Sequence, residues 1–135
     1  MTTRYAVSTD LVRRYGYPAA RVMLAAIFLL TGWDKLADRH DAAMDIAEVG
    51  LPAPVVLAVL AGVVELVCGV LLAVGWRAAW AAGGLFLFLL PVTVLLENPL
   101  AASADFGTLI DFLKNLAIMG GLLMVVLWER RRDAR

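Results

Sequence analysis

The chain has 135 residues, of which 62% are hydrophobic and 18% are charged, and its mean hydropathy is +0.82. This balance is typical of membrane proteins and excludes an ordinary water-soluble domain, which would be more polar at this length. The formal net charge is zero. The net charge is zero because the basic residues expected on one side of the membrane balance the acidic residues expected on the other.

Long apolar runs predict four transmembrane helices, because a spanning helix needs about 20 predominantly apolar residues. Runs of this length form helices rather than barrel strands, since every backbone polar group must be paired in lipid. The predicted fold class is an all-α integral membrane protein, an antiparallel four-helix bundle that forms a single domain over residues 1–135. We place its helices near Pro18–Leu36, Pro52–Gly75, Ala78–Leu96 and Gly107–Trp128, with short tails at 1–17 and 129–135.

The loop between the first two spans has an acidic stripe with helical spacing. Its other side carries Ala43, Ile46 and Ala47, so we expect a short amphipathic helix lying on the outer membrane surface. The acidic face is either simply solvated or docks a basic partner protein; a divalent ion is a minor alternative, and we assign no metal site. The acidic residues are Asp38, Asp41, Asp45 and Glu48.

The distribution of Lys and Arg predicts the orientation in the membrane. Nine of the twelve basic residues fall on one side, with Arg21 near the start of the first helix among them, and only Lys35, Arg39 and Lys114 fall on the other. Cytoplasmic segments carry an excess of Lys and Arg, so we expect both termini in the cytoplasm. The Arg130-Arg-Arg132 cluster is expected to contact anionic lipid headgroups there.

Glu65 is the only charged residue between positions 49 and 76, in the most apolar part of the chain. A charge in hydrocarbon costs roughly 2.5–3.5 kcal/mol on insertion scales, so we expect Glu65 to have a partner, a proton or a function. Gly62 and Gly69 share its helix face by the three-and-four rule. Such small neighbours indicate space beside the carboxylate.

Polar residues on the other spans are candidates for the partner of Glu65. With a rise of about 1.5 Å per residue, Lys114 lies roughly 9 Å inside the outer end of its helix and Glu65 lies near mid-depth. We therefore expect Glu65 to pair with Lys114, Arg21 or both. The candidate site, which is either a structural ion pair or a polar site for a headgroup, proton or anion, comprises Glu65, Lys114, Arg21, Asn115, Lys35 and Asp111.

A series of short motifs runs along nearly the whole chain, from about Arg21 to Leu127. They are Arg21, the run Phe28-Leu-Leu-Thr-Gly-Trp33 with Lys35-Leu36, Gly50-Leu-Pro52, Glu65 with Gly69, Gly75-Trp76-Arg77, and Phe112-Leu-Lys-Asn115 before Gly120-Gly121. In their order and spacing these motifs resemble the DoxX family of small bacterial four-helix membrane proteins.

The resemblance implies a multi-pass protein of the bacterial plasma membrane with a role in redox metabolism, since the family name comes from a quinone-linked thiosulfate oxidoreductase. The polar positions that match the family are Arg21, Lys35, Glu65, Lys114 and Asn115. Several relatives carry a histidine near the end of the third span, where this chain has no histidine. Chemistry that depends on such a histidine is not expected here.

The chain offers no motif for a resident redox group. His40 is its only histidine and Cys68 its only cysteine, so we expect no haem, flavin or metal site. If the protein handles electrons, we expect it to use a quinone. A Lys or Arg of the candidate site would donate a hydrogen bond to a quinone carbonyl while Glu65 relays a proton.

The function we expect is that of an accessory or quinone-binding component of a membrane redox or oxidative-stress system. No catalytic residue is assigned, and we expect no enzyme that acts alone, although the chain is suited to be a subunit of a quinone-linked oxidoreductase. A non-catalytic scaffold that recruits an oxidoreductase through its outer loop, and a carrier of small solutes or protons, remain open. The expected partners are the lipid bilayer, an oxidoreductase and further copies of the chain, but not nucleic acid.

Overall fold

The computed structural model describes residues 9–135 and contains no strand within that range. Four of its helices are long and apolar enough to cross a membrane. Helical backbone begins at Thr9 and passes through a π-helical turn, Val12–Gly16, into the first of them. The helices are α1 (Tyr17–Ala37), α2 (Arg39–Glu48), α3 (Pro54–Val74), α4 (Ala78–Leu95) and α5 (Phe106–Asp133).

Local sequence signals set the helix ends. Asp38 caps α2 by accepting a hydrogen bond from the backbone N–H of His40. α3 ends at Gly75, whose φ of +86° is a left-handed conformation that glycine adopts without strain. α5 begins with a capping box, in which Asp105 and Thr108 each bond the other's backbone N–H.

The last helix is longer than the sequence predicted. The tail expected at 129–135 is helical as far as Asp133, and basic residues occupy its last turn. Cations stabilise a helix C-terminus because they face the negative end of the helix dipole. At the other terminus the expected tail 1–17 is helical from Thr9, and its residues 1–8 lie outside the described part of the chain.

The long helices bury few of their side chains. Within the most apolar 18-residue window of each, only 17–33% of residues are buried in the protein. α1 packs mainly against α3 and α4 mainly against α5, while α2 lies against α3 through Ala43, Ile46 and Ala58. The remaining apolar surface is the part that contacts lipid.

Glycines bring α1 and α3 into close contact. A Cβ added at Gly32 would lie 2.9 Å from the carbonyl oxygen of Gly62, and one added at Gly69 would lie 3.1 Å from the Leu29 side chain. Farther along, Gly75 contacts the Arg21 guanidinium. Residue numbers rise on α3 as they fall on α1, so these two helices run in opposite directions. Small residues let membrane helices approach in this way.

We expect Gly32→Ala to destabilise the protein by about 1–3 kcal/mol, because its Cβ would press on backbone and on the base of Glu65. Gly83→Ala is the matched control, since a Cβ there meets nothing within 4 Å. Thermal unfolding in detergent micelles measures both. Equal melting temperatures for the two variants would contradict the close contact between α1 and α3.

Candidate functional site

Glu65 is buried on the face of α3 that packs against α1, with only 5% of its surface exposed. The Lys35 ammonium lies 3.2 Å from Oε1 and 3.1 Å from Oε2 of the carboxylate. The Thr31 hydroxyl lies 3.0 Å from Oε2 and 2.9 Å from the carbonyl oxygen of Ile27. The charge in the apolar run therefore has an ionic partner and a hydroxyl partner, both on α1.

Helical spacing on α1 explains why both partners reach one carboxylate. Thr31 and Lys35 are four residues apart and so project from the same face. Between them, Gly32 has no side chain, and a Cβ there would lie 3.0 Å from the Cβ of Glu65. The segment Thr31–Lys35 thus provides a hydroxyl and an ammonium for Glu65, and Gly32 between them leaves room for the Glu65 side chain. We call these three side chains, Thr31, Lys35 and Glu65, the Glu65 cluster.

The predicted pairing of Glu65 with Lys114 or Arg21 is wrong. Lys114 forms a 2.6 Å ion pair with Asp111, one turn earlier on α5, and the two side chains are 51% and 44% exposed. Arg21 contacts Gly75, which follows the last residue of α3. Residues three apart on a helix are neighbours on its surface, so Asp111 is within reach of Lys114 without any contact between helices.

The six predicted site residues therefore lie in three places. Lys35 and Glu65 form an ion pair, Asp111 and Lys114 form another, and Arg21 stands apart from both. Asn115 is buried on α5, with 8% of its surface exposed. Sequence reasoning missed Thr31, although its spacing of four residues from Lys35 is visible in the sequence.

A pocket of about 320 Å³ lies beside the Glu65 cluster, among residues of α1, α2, α3 and α4. Lys35, Glu65 and Asp45 are its charged lining residues, and the other side chains are apolar. The lining also includes Leu60 and Leu95, which are 55% and 46% exposed at the surface of the protein. Exposed apolar side chains therefore border the pocket beside the polar cluster. Small-molecule sites combine an apolar wall with a few polar groups in this way.

The acidic stripe on α2 serves more than one structural role. Asp38 caps the helix, and Asp45 lines the pocket beside Glu65. Asp41 lies in the first turn of α2, where the helix dipole favours a negative charge. Docking of a basic partner at this stripe stays a prediction.

A family model described as DoxX matches residues 16–98 of the chain. The match covers α1 to α4 and therefore all three members of the Glu65 cluster. The motif resemblance on α5 lies outside the matched residues. No curated protein and no solved structure shows significant similarity to the chain.

Removal of one member of the buried ion pair should cost much more than removal of an exposed one. We expect Lys35→Met to destabilise the protein by roughly 2–4 kcal/mol, because Glu65 must then stay unpaired or take up a proton. Lys114→Met, which breaks the exposed pair, should cost under about 1 kcal/mol. Unfolding in detergent measures both, and Lys35→Met combined with Glu65→Leu should recover stability. A double variant no more stable than Lys35→Met would contradict the pairing.

The pH dependence of stability should depend on Glu97, which follows α4. Burial raises its pKa above the usual 4.5, Asp111 and Asp45 raise it further, and Lys114 lowers it. A raised pKa in the folded state stabilises the protein below the usual pKa, and this contribution is lost as pH rises through the folded value. Glu97→Gln should therefore gain stability relative to the parent as pH rises. A difference in melting temperature between Glu97→Gln and the parent that stays constant from pH 4 to 8 would contradict this.

Proposed function

The chain belongs to the DoxX family of membrane proteins, and on this premise we propose that it is a quinone-binding accessory component of a membrane redox system. The observation that carries the proposal is the Glu65 cluster, whose paired charges line a pocket with otherwise mostly apolar walls that exposed leucines border. A lipid-soluble ligand with hydrogen-bonding oxygens suits both features.

Lys35 is the side chain we assign to ligand binding. Its ammonium has three donors, and the two carboxylate oxygens of Glu65 occupy only part of that capacity. Its side chain is 27% exposed and lines the pocket, so a further donor is available to a ligand carbonyl. The apolar walls from α3 and α4 would contact the ring and the isoprenoid tail.

Thr31 and Glu65 are the groups we assign to holding and moving a proton. A hydroxyl has one proton to donate, and Thr31 has two acceptors within 3.0 Å, the Ile27 carbonyl and Glu65. When Thr31 donates to Glu65, the acid is a carboxylate. When Thr31 donates to Ile27, a protonated Glu65 can donate to Thr31 instead. The same positions of the heavy atoms therefore suit both forms of the acid.

A bound quinone would supply the two-electron redox chemistry that the side chains of the chain lack. The chain has one cysteine, Cys68, and one histidine, His40, so neither a dithiol nor a histidine pair is available within it. We therefore propose that electrons are exchanged with a partner oxidoreductase. The acidic stripe on α2 is the surface we propose for that partner.

We propose that the four long helices form an antiparallel bundle in the bacterial plasma membrane, with both termini in the cytoplasm and α2 on the outer side. The excess of Lys and Arg at one set of helix ends supports this orientation. Contacts between Arg21 and Gly75, and between Tyr17 and Trp128, bring the first turns of α1 to the last turns of α3 and α5.

Loss of the carboxylate should reduce quinone binding in protein that is still folded, although it also removes the ion pair with Lys35. We expect Glu65→Gln to lower the amount of quinone extracted from purified protein about tenfold. The amide has the shape of the carboxylate, but it does not neutralise the charge of Lys35 and cannot take up a proton. Lys35→Met should lower it similarly. Organic extraction followed by chromatography, and titration of stripped protein with added quinone, measure the effect.

Lys114→Met is the matched control, because it removes a lysine whose ion pair is exposed and separate from the Glu65 cluster. It should leave quinone content unchanged. A folded Glu65→Gln variant that retains as much quinone as the parent would contradict the proposal. Parent protein that neither carries nor binds quinone would favour a scaffold with a structural ion pair.

A further inference from the structure

A second pocket, far from Glu65, lies where the start of α1 meets the end of α5. Its volume is about 600 Å³, and its lining includes Arg13, Arg14, Arg21 and Arg132 with the rings of Tyr17 and Trp128. We call it the arginine pocket. The role proposed above for the Glu65 cluster does not involve it.

Aromatic rings, rather than carboxylates, position two of these guanidinium groups. The Cζ of Arg13 lies 5.4 Å from the centroid of the Trp128 ring, and the Cζ of Arg21 lies 5.2 Å from that of Tyr17. The two rings pack on each other with centroids 5.5 Å apart. A guanidinium that packs on a ring face keeps its N–H donors free for another acceptor.

Arg21 has a donor that the described residues leave unused. Its Nε is buried and has no hydrogen-bond partner among residues 9–135. A Cβ at Gly75 would overlap the guanidinium, so the glycine at the end of α3 leaves the space in which this group lies. A buried donor without an acceptor is costly, and a bound anion would satisfy it.

The pocket has an excess of positive charge. Its four arginines face one lining acid, Asp10, and one adjacent acid, Glu129. Glu129 already accepts a 2.6 Å hydrogen bond from the Tyr17 hydroxyl and lies 3.8 Å from Arg132. Among residues 9–135, these two carboxylates against four guanidinium groups leave two positive charges of the pocket without a matching acid.

We propose that the arginine pocket binds a phosphate group, carried either by an anionic phospholipid or by a soluble phosphate. Guanidinium forks match phosphate oxygens with paired N–H donors, and a phosphate has enough oxygens for several forks. The Trp128 ring suits the interface between headgroups and acyl chains. This site differs from the Arg130-Arg-Arg132 surface cluster, of which only Arg132 lines the pocket.

Two ligands distinguish the sources of the phosphate. Full-length protein in a neutral detergent is titrated with phosphatidylglycerol, followed by native mass spectrometry, and separately with inorganic phosphate, followed by calorimetry. One phosphatidylglycerol per chain without phosphate binding assigns a lipid headgroup site. Saturable binding of inorganic phosphate assigns a site for soluble phosphate. Saturation by neither ligand would overturn the proposal.

Variants test whether the pocket, rather than overall charge, is responsible. Arg21→Gln and Arg13→Gln should each weaken binding about tenfold, because each removes a charged hydrogen-bond donor. Arg131→Gln removes the same charge from an exposed position that does not line the pocket, and should change affinity less than twofold. Equal weakening by Arg131→Gln would overturn the proposal. If Arg21→Gln fails to fold, the exposed Arg13→Gln decides the test alone.

Discussion

The buried ion pair between Lys35 and Glu65 lies at the centre of the contact between α1 and α3, the most extensive helix contact of the described residues. A carboxylate in an apolar helix is costly without a partner or a proton, and here the partner is on α1. The helices can approach because Gly32 and Gly62 meet where they cross. Close packing and charge pairing are therefore one constraint: a larger side chain at Gly32 would press on Glu65 itself.

Much of the fold could be predicted from the lengths of the apolar runs in the sequence. Less of the site could be predicted in this way. Four long runs predict four long helices because hydrocarbon thickness sets a minimum length. The partner of Glu65 depends on which residues of α1 lie beside it. The spacing of residues within one helix does not predict this. Glu65 lies near the middle of α3, but its position along α3 does not show which residue of α1 lies beside it. In the structure it lies level with Gly32 on α1, and the first two turns of α3 extend past the end of α1 to pack on α2.

The alternative partners also show where local rules were sufficient. Asp111 and Lys114 are three residues apart on one helix, and this spacing predicts their pairing without any knowledge of the fold. Thr31 was visible by the same rule from Lys35. The arginine pocket was not visible, because its residues come from both ends of the described chain and meet only through the packing of α1 against α5.

The level of Glu65 links its ion pair to the helix that follows α1. Gly32 is five residues before the end of α1, a distance of about 8 Å along the helix. Only Asp38 separates α1 from α2, and Asp45 of α2 lines the same pocket as Lys35 and Glu65. A displacement of α2 would therefore change the wall of the pocket beside the ion pair.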